Sequence, residues 1–373
     1  PTPRGPIKAS TLWASPTVTA SGDEGMKAGL IGWPGSGRDT IFSALTGQPR
    51  QLAGTTEVRQ GEALVPDERL NFLSNLYRPR KHIPARVDFF LPRTTGSAQE
   101  ALRASLEKVR EAEVLLSVLR NFGASPDPAR DAAGLETELI LSDYLVAQKR
   151  LERLAEEEKR GKKNDPEEAG FLTRAMAELE AGRPLRSEAV FAHHPKLKGF
   201  AFLSAKPLLM VLNNSEADEG TVDLFGPWPK LVVRGRLEAD LAALSPDDGV
   251  EFLASYRLSE SASARVIREV YRLMGLQSFF TVGEDECRAW TITTGETAWT
   301  AAGAIHSDIQ KGFIRAEVVA FEDFRKTGGM NEAKKKGFFR LEGKTYVMAD
   351  GDIIHFRFTR AKGPESQGLK NRR

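Results

Sequence analysis

Residues 29–47, GLIGWPGSGRDTIFSALTG, constrain the fold more than any other stretch of the chain. Leu30 and Ile31 read as the end of an apolar strand. A glycine-rich turn follows, then a short helix with Ile41, Phe42 and Leu45 on one face and Gly47 as its stop. A phosphate-binding loop has this context and the pattern G-x-x-x-x-G-K-[ST]. Its backbone amides wrap the phosphates, the Lys neutralises them, and the hydroxyl holds Mg²⁺. Gly32 and Gly37 have the spacing, but Arg38 and Asp39 stand where Lys and Ser or Thr belong, with Thr40 just beyond. The stretch is therefore either a phosphate loop with altered chemistry or an ordinary strand-to-helix turn. The rest of the chain must decide.

A length of 373 residues suggests two or three domains, and a 40% hydrophobic content is ordinary for globular chains. The longest apolar runs, such as residues 207–212, fall far short of the roughly 20 residues a membrane helix needs, so no span is expected. Cys287 is the one cysteine, which excludes an internal disulfide and a multi-Cys zinc site and fits a reducing, cytoplasmic setting. The five histidines have no metal-binding spacing. A formal charge of +2 hides an asymmetry: residues 311–373 hold 15 Lys or Arg against 8 Asp or Glu. Residues 1–25, rich in Pro, Ser and Thr, lack the apolar core of a secretory signal and read as a disordered extension ahead of Met26.

From Lys27 to about Asn121 strand-like and helix-like segments alternate, with ARVDFFLP at 85–92 a clear strand; this is an α/β pattern with a parallel sheet. From Asp127 to about Pro195 the pattern is helical. Leu141, Leu145, Leu151 and Leu154 recur at helical spacing, as do Phe171, Leu172, Ala175 and Leu179, and the polar link 161–166 implies an antiparallel hairpin. An apolar strand returns in KPLLMVLNNSE, 206–216, so the hairpin interrupts one α/β domain. Beyond Phe279 short strands and turns dominate, including the Asp350-Gly351 turn signal.

This order, together with Asn213-x-x-Glu216 after the return strand and the C-terminal segments RAWTI, AAGAIHSDIQKGFIRAEV and LEGKTYVMADGDIIHFRF, resembles the YchF/Obg-like ATPase family from about Met26 to Arg360. The resemblance implies a P-loop NTPase-type parallel sheet with an inserted antiparallel helical hairpin and a C-terminal TGS-like, ubiquitin-like β-grasp domain. The expected boundaries are a disordered extension at 1–25, the P-loop domain at 26–126 and 196–278, and the hairpin at 127–195. The TGS-like domain is expected at 279–360, followed by a disordered basic tail at 361–373.

The same resemblance implies a nucleotide site of Gly32, Pro34, Gly35, Ser36, Gly37, Arg38, Asp39, Thr40, Asn213, Glu216 and Gly235. Mg²⁺ would fall to Asp39, Thr40 and Asp88, the last standing for the Asp of the family's D-x-x-G motif. Arg38 keeps the lysine's charge but not its compact shape. Asp39 sets a negative charge beside the phosphates, and Leu91 replaces the glycine that meets the γ-phosphate. Asn213 and Glu216 match the family's N-x-x-E, associated with adenine over guanine. The expected ligand is thus ATP, or GTP, with Mg²⁺ if nucleotide binds, and hydrolysis weak or absent. Two other readings stay open: an active ATPase relying on Arg38, Thr40 and Asp88, and a nucleotide-free RNA or protein scaffold.

The C-terminal part interleaves Lys311, Arg315, Lys334, Lys335, Lys336, Arg340, Lys344, Arg357 and Arg360 with Phe313, Phe338, Phe339 and Phe356. The aromatics read as alternate core residues of strands. For the Lys334–Lys336 run a solvated face and an RNA backbone contact are equal readings. The resemblance implies ribosome association, and so ribosomal RNA at Lys334, Lys335, Lys336 and Arg340. The expected protein is a cytoplasmic monomer with no membrane partner.

Overall fold

The computed structural model describes residues 26–50, 58–192, 199–224 and 226–359. The expectations for 1–25, for 361–373 and for Arg360 lie outside them. The described residues form two compact units, one of 26–66 and 86–274, the other of 67–85 and 275–359.

Along the first part of the chain run β1 (Met26–Ile31), α1 (Arg38–Thr46), β2 (Val58–Leu64), α2 (Glu68–Tyr77), β3 (Lys81–Ile83), β4 (Arg86–Pro92), α3 (Ala98–Lys108) and β5 (Val114–Asn121). Then come α4 (Pro128–Lys159), α5 (Pro166–Glu180), α6 (Ala189–Ala192), β6 (Leu208–Asn214), β7 (Lys230–Val233), α7 (Gly235–Ala242), α8 (Pro246–Ser255) and α9 (Ala262–Leu273). The first unit is built on a six-stranded sheet of order β2-β4-β1-β5-β6-β7. It is parallel except where edge strand β2 runs antiparallel to β4. Continuous apolar runs make its middle: β5 is buried from Val114 to Leu119 and β6 along its whole length, as strands covered by helices on both faces must be. The chain leaves β1 toward β2 and β4, then returns to add β5, β6 and β7 on the other side. The order therefore reverses between β1 and β5, and in open α/β sheets ligands bind beyond the strand ends at such a point.

The hairpin is present. Asp127 and Asp165 cap α4 and α5, each followed by a proline in the first turn, where its missing N–H costs nothing. The N-terminal half of α4 joins the sheet core through Ala132, Leu135 and Leu139. Its distal half packs Ile140, Ala147 and Leu154 against Leu172, Ala175 and Leu179 of α5. Leu141 and Leu145, expected on this stripe, are 37% and 55% exposed. The stripe includes Ile140 in place of Leu141, and Glu136 and Asp143 are buried on α4 as well, bonded to Arg186 and to the amides of Leu203 and Ser204.

The second unit adds β8 (Leu276–Val282), β9 (Glu286–Thr293), α10 (Ala298–Ile305), α11 (Ser307–Lys311), β10 (Phe313–Ala320), α12 (Phe321–Thr327), α13 (Met330–Lys335), β11 (Arg340–Glu342) and β12 (Asp352–Phe358). Its sheet has the order β11-β10-β12-β8-β9-β3. Phe279, Ile292, Ala301, Phe313, Ala316 and Phe356 share its core, so Phe313 and Phe356 are core residues, whereas Phe338 is exposed. Residues 67–85, expected within the P-loop domain, belong here instead. β3 pairs with β9, the Arg69 guanidinium lies 5.2 Å from the Phe280 ring centroid, and it forks onto Asp350 at 2.8 and 3.1 Å. The sequence hid this excursion because β3 is three residues long and largely exposed, with no apolar period to mark its partner.

Candidate functional site

A cleft of about 800 Å³ lies at the carboxyl end of the first unit's sheet. It is lined by Gly35, Gly37, Arg38, Asp39 and Thr40, by Phe122 and Gly123 after β5, by Asn213 and Asn214 at the end of β6 and the three residues that follow them, and by Arg236 of α7. That volume falls within the range of small-molecule sites, about 300–1,000 Å³. The sequence-predicted turn is therefore a wall of a cleft at the point where strand order reverses.

The turn is held by steric necessity. At Gly32 a Cβ would sit 2.5 Å from the Val118 carbonyl oxygen. Gly37, at φ +88°, caps α1, and a Cβ there would lie 2.1 Å from Asn213 Nδ2. The Ser36 amide bonds the Trp33 carbonyl at 3.1 Å, closing the turn, while Pro34 and Gly35 are exposed. Ser36 Oγ is buried with no hydrogen-bond partner among the described residues. The Thr40 and Ile41 amides both bond the Gly37 carbonyl at 3.0 Å, so the amides that precede them at the start of α1 are those an anion at a helix N-terminus would use.

Asn213 spans the site. Its Nδ2 donates to the Ser36 carbonyl at 2.9 Å, and its Oδ1 accepts the Gly235 amide at 3.1 Å. Asn214 braces the following loop, donating to the carbonyls of Asp218 and Gly220 and accepting from Asn121. Glu216 is exposed at the cleft and faces Arg236 at 3.3 Å.

The charged residues of the turn are already engaged. Arg38 Nη1 donates to the buried Ser105 Oγ of α3 at 2.9 Å, and burial pulls its pKa below the ordinary arginine value against the opposing pull of Asp39. Asp39 Oδ1 accepts from Arg93 Nη2 at 3.0 Å, and Arg59 Nη1 stands 3.8 Å away. Arg59 is buried, stacked 4.5 Å from the Phe42 ring centroid and bonded to the Pro49 carbonyl. None of Arg93, Arg59 and Ser105 was singled out in the sequence. Arg93, directly after the Pro92 that ends β4, carried the nearest signal.

Asp88 is not among the residues that line this cleft. Its register partner is Lys27, so it lies four residues, about 13 Å, short of the end of β1 at Ile31. Burial and the neighbouring Glu62 raise its pKa, with Lys27 and Arg86 opposing. The strand runs on to Pro92, and Leu91 is buried within it. Asp88 thus stands near the start of β4, and it is the far end of that strand, at Pro92, that leads to the Arg93 bonded to Asp39.

The donor set suits a phosphate anion better than a hard cation. Mg²⁺ demands oxygen ligands, commonly one or two carboxylates beside the substrate phosphates. Of the three residues expected to hold it, Asp88 lies along β4 and Asp39 is flanked by two guanidinium groups; Thr40, buried, lines the cleft. Among the described residues no cluster of three or more His, Cys, Asp or Glu is arranged to hold a metal. None of their helices is long and apolar enough to cross a membrane.

In the second unit the four expected RNA contacts differ in availability. Lys335 pairs with Glu332 at 2.6 Å, and Lys334 Nζ lies 5.2 Å from the Phe339 ring centroid. Arg340 bonds the Tyr346 hydroxyl at 3.0 Å and lies 3.5 Å from Asp352. Lys336 is exposed.

Residues 276–359 match the family model YchF-GTPase_C, described as a protein of unknown function (DUF933). Over 366 residues the chain is 34% identical to the ribosome-binding ATPase YchF of Haemophilus ducreyi, covering 90% of this chain and 99% of that protein. It is 30% identical to Obg-like ATPase 1 of Bos taurus, covering 92% and 94%. The solved structure of the Schizosaccharomyces pombe YchF GTPase superposes with a TM-score of 0.76 at 25% identity, over 90% of this chain and 99% of that one.

Proposed function

The chain belongs to the YchF family of Obg-like ATPases, and on that premise we propose that it is a ribosome-associated nucleotide-binding protein whose hydrolysis is weak or absent. The observation that carries this reading is the turn at 32–37, which keeps its glycines and its tie to Asn213 while Arg38 is bonded to Ser105 and Asp39 to Arg93. Phosphoryl transfer depends on positioning and charge stabilisation. A loop that still presents amides, but no compact cation, binds phosphate more readily than it activates it. Adenine is the preferred base, supported by Glu216 at the cleft in place of the shorter Asp that reads guanine. The mixed sheet of the second unit, covered by helices, supports a TGS-like β-grasp domain, and Lys334 and Lys336 are its most available RNA contacts.

Equilibrium binding of labelled ATP and GTP, with hydrolysis followed in the same samples, tests the proposal. Binding with ATP preferred and turnover far below an ordinary kcat of ~1 s⁻¹ is expected. Turnover at or above that rate, or no binding of either nucleotide, overturns it. Co-sedimentation with ribosomes should weaken with salt by a slope of about 0.7 per phosphate contact on single strands. It should be lost when Lys334, Lys335 and Lys336 are all changed to Glu.

A further inference from the structure

We propose that the Asp39–Arg93 ion pair stands in the place of the catalytic Mg²⁺, so that this cleft takes a nucleoside diphosphate or triphosphate as the metal-free anion. The inference rests on the nucleotide-binding reading above and specifies its ligand.

In P-loop enzymes the metal sits between the first hydroxyl of the helix and an acid at the end of a neighbouring strand, and bridges the β- and γ-phosphates. Here the helix position is Asp39, and the neighbouring strand β4 ends in Leu91, Pro92 and then Arg93. The acid and the cation have exchanged places: the carboxylate is on the helix, and a guanidinium fixed by the protein supplies the positive charge. Arg93 Nη2 meets Asp39 Oδ1 at 3.0 Å, and Arg93 is only 13% exposed. Arg59, 7% exposed, adds a second guanidinium 3.8 Å from the same oxygen. A divalent ion entering beside Asp39 would displace or confront both cations. It would find one carboxylate, already bonded, and would surrender hydration that it gives up reluctantly.

The pair also decides between ligands. With Asp39 neutralised by Arg93, a phosphate on the α1 amides meets no unbalanced carboxylate. A third phosphate gains no lysine, since Arg38 is bonded to Ser105, and no metal bridge. A diphosphate therefore binds at least as tightly as a triphosphate.

The test uses the full chain and fluorescent N-methylanthraniloyl ADP and ATP, titrated in EDTA and in excess Mg²⁺. Expected are affinities within twofold in the two buffers, with ADP no weaker than ATP. Wild-type binding that tightens tenfold or more with Mg²⁺ overturns the proposal. In Arg93→Ala, and in Arg93→Gln, which keeps more of the side-chain bulk, Asp39 loses its hydrogen-bonded cation and retains only Arg59 at 3.8 Å, and at least a tenfold dependence on Mg²⁺ should appear. Persistent metal-independence in a folded variant overturns it as well. Absence of nucleotide binding in every buffer refutes the functional reading instead, and Mn²⁺ alone then decides the metal question by electron paramagnetic resonance. Mn²⁺ immobilised by the wild type and released by Asp39→Asn overturns the replacement of the metal by the ion pair; Mn²⁺ immobilised by Arg93→Ala and not by the wild type upholds that replacement alone, without its nucleotide.

Discussion

The side-chain amide of Asn213 donates to the Ser36 carbonyl at 2.9 Å, joining two residues 177 positions apart in the chain. Its oxygen takes the Gly235 amide, so one side chain fixes the glycine turn, the end of β6 and the start of α7 relative to each other. Both partners are buried, and each buried polar group left unmade costs about 1–3 kcal/mol. Asn213→Ala should lower the denaturant midpoint by a loss of about 2–4 kcal/mol. Asn213→Asp keeps the Gly235 acceptor but turns an oxygen on the Ser36 carbonyl, and should be no better than Ala. A midpoint unchanged in both would show that the tie is dispensable.

Gly37 and Gly35 both have positive φ, yet their substitutions should differ. A Cβ on Gly35 meets nothing within 4 Å, so Gly35→Ala bears only the left-handed backbone cost, about 1–2 kcal/mol. A Cβ on Gly37 would lie 2.1 Å from Asn213 Nδ2 and must push that amide off Ser36. Gly37→Ala should therefore be the more destabilising by at least the cost of a lost buried hydrogen bond, about 1 kcal/mol. Thermal melts of the two variants side by side decide it; equal losses would mean that Asn213 moves freely.

What the sequence made legible was whatever is written in local pattern. The alternation of strand-like and helix-like segments over 27–121, the apolar run in 206–216 and the helical spacing of apolar residues on either side of the polar link 161–166 announced the parallel sheet and the hairpin. Asn213 was legible because it stands where an apolar strand gives way to polar loop. What failed was register. Asp88 sits in a strand recognised as one, but only pairing with β1 reveals that it faces Lys27 rather than the glycine turn. The partners of Arg38 and Asp39 are tertiary: Ser105 and Arg93 lie 67 and 54 positions away, beyond the reach of spacing. The transfer of 67–85 to the second unit rests on a three-residue strand and an Arg69–Asp350 pair 281 positions apart.

Arg186 anchors the base of the hairpin. Its fully buried guanidinium bonds Glu136 of α4 at 2.8 Å, donates to the Lys206 carbonyl at 3.1 Å, and stacks 5.0 Å from the Trp228 ring centroid. Removing one partner of a buried pair strands the other charge, so Arg186→Ala should cost about 3–5 kcal/mol. Replacing both, Arg186→Met with Glu136→Leu, should recover most of that loss, because it also removes the desolvated charge. A double variant as unstable as the single one would assign the effect to packing against Trp228 instead.

Lys206 makes stability depend on pH in the alkaline range. Its Nζ donates to the Ala112 carbonyl at 2.5 Å, a bond the neutral amine also makes. Burial pulls its pKa from 10.5 down to about 8; Asp143 and Glu113 oppose the shift and Arg110 adds to it. The folded pKa lies below the unfolded one, so between those values the unfolded chain holds the extra proton, and stability rises with pH. The contribution is complete above the unfolded pKa and is lost as pH falls through about 8. At 1.36 kcal/mol per unit the full effect is about 3 kcal/mol. Tyrosines and other lysines titrate in the same window, so the wild type must be read against Lys206→Met, which keeps the stem and removes the proton. The difference in unfolding free energy between the two should move in favour of the wild type as pH is raised from about 8 toward 10. A difference that stays constant across that range would mean that Lys206 is solvated enough to keep its proton in the folded chain.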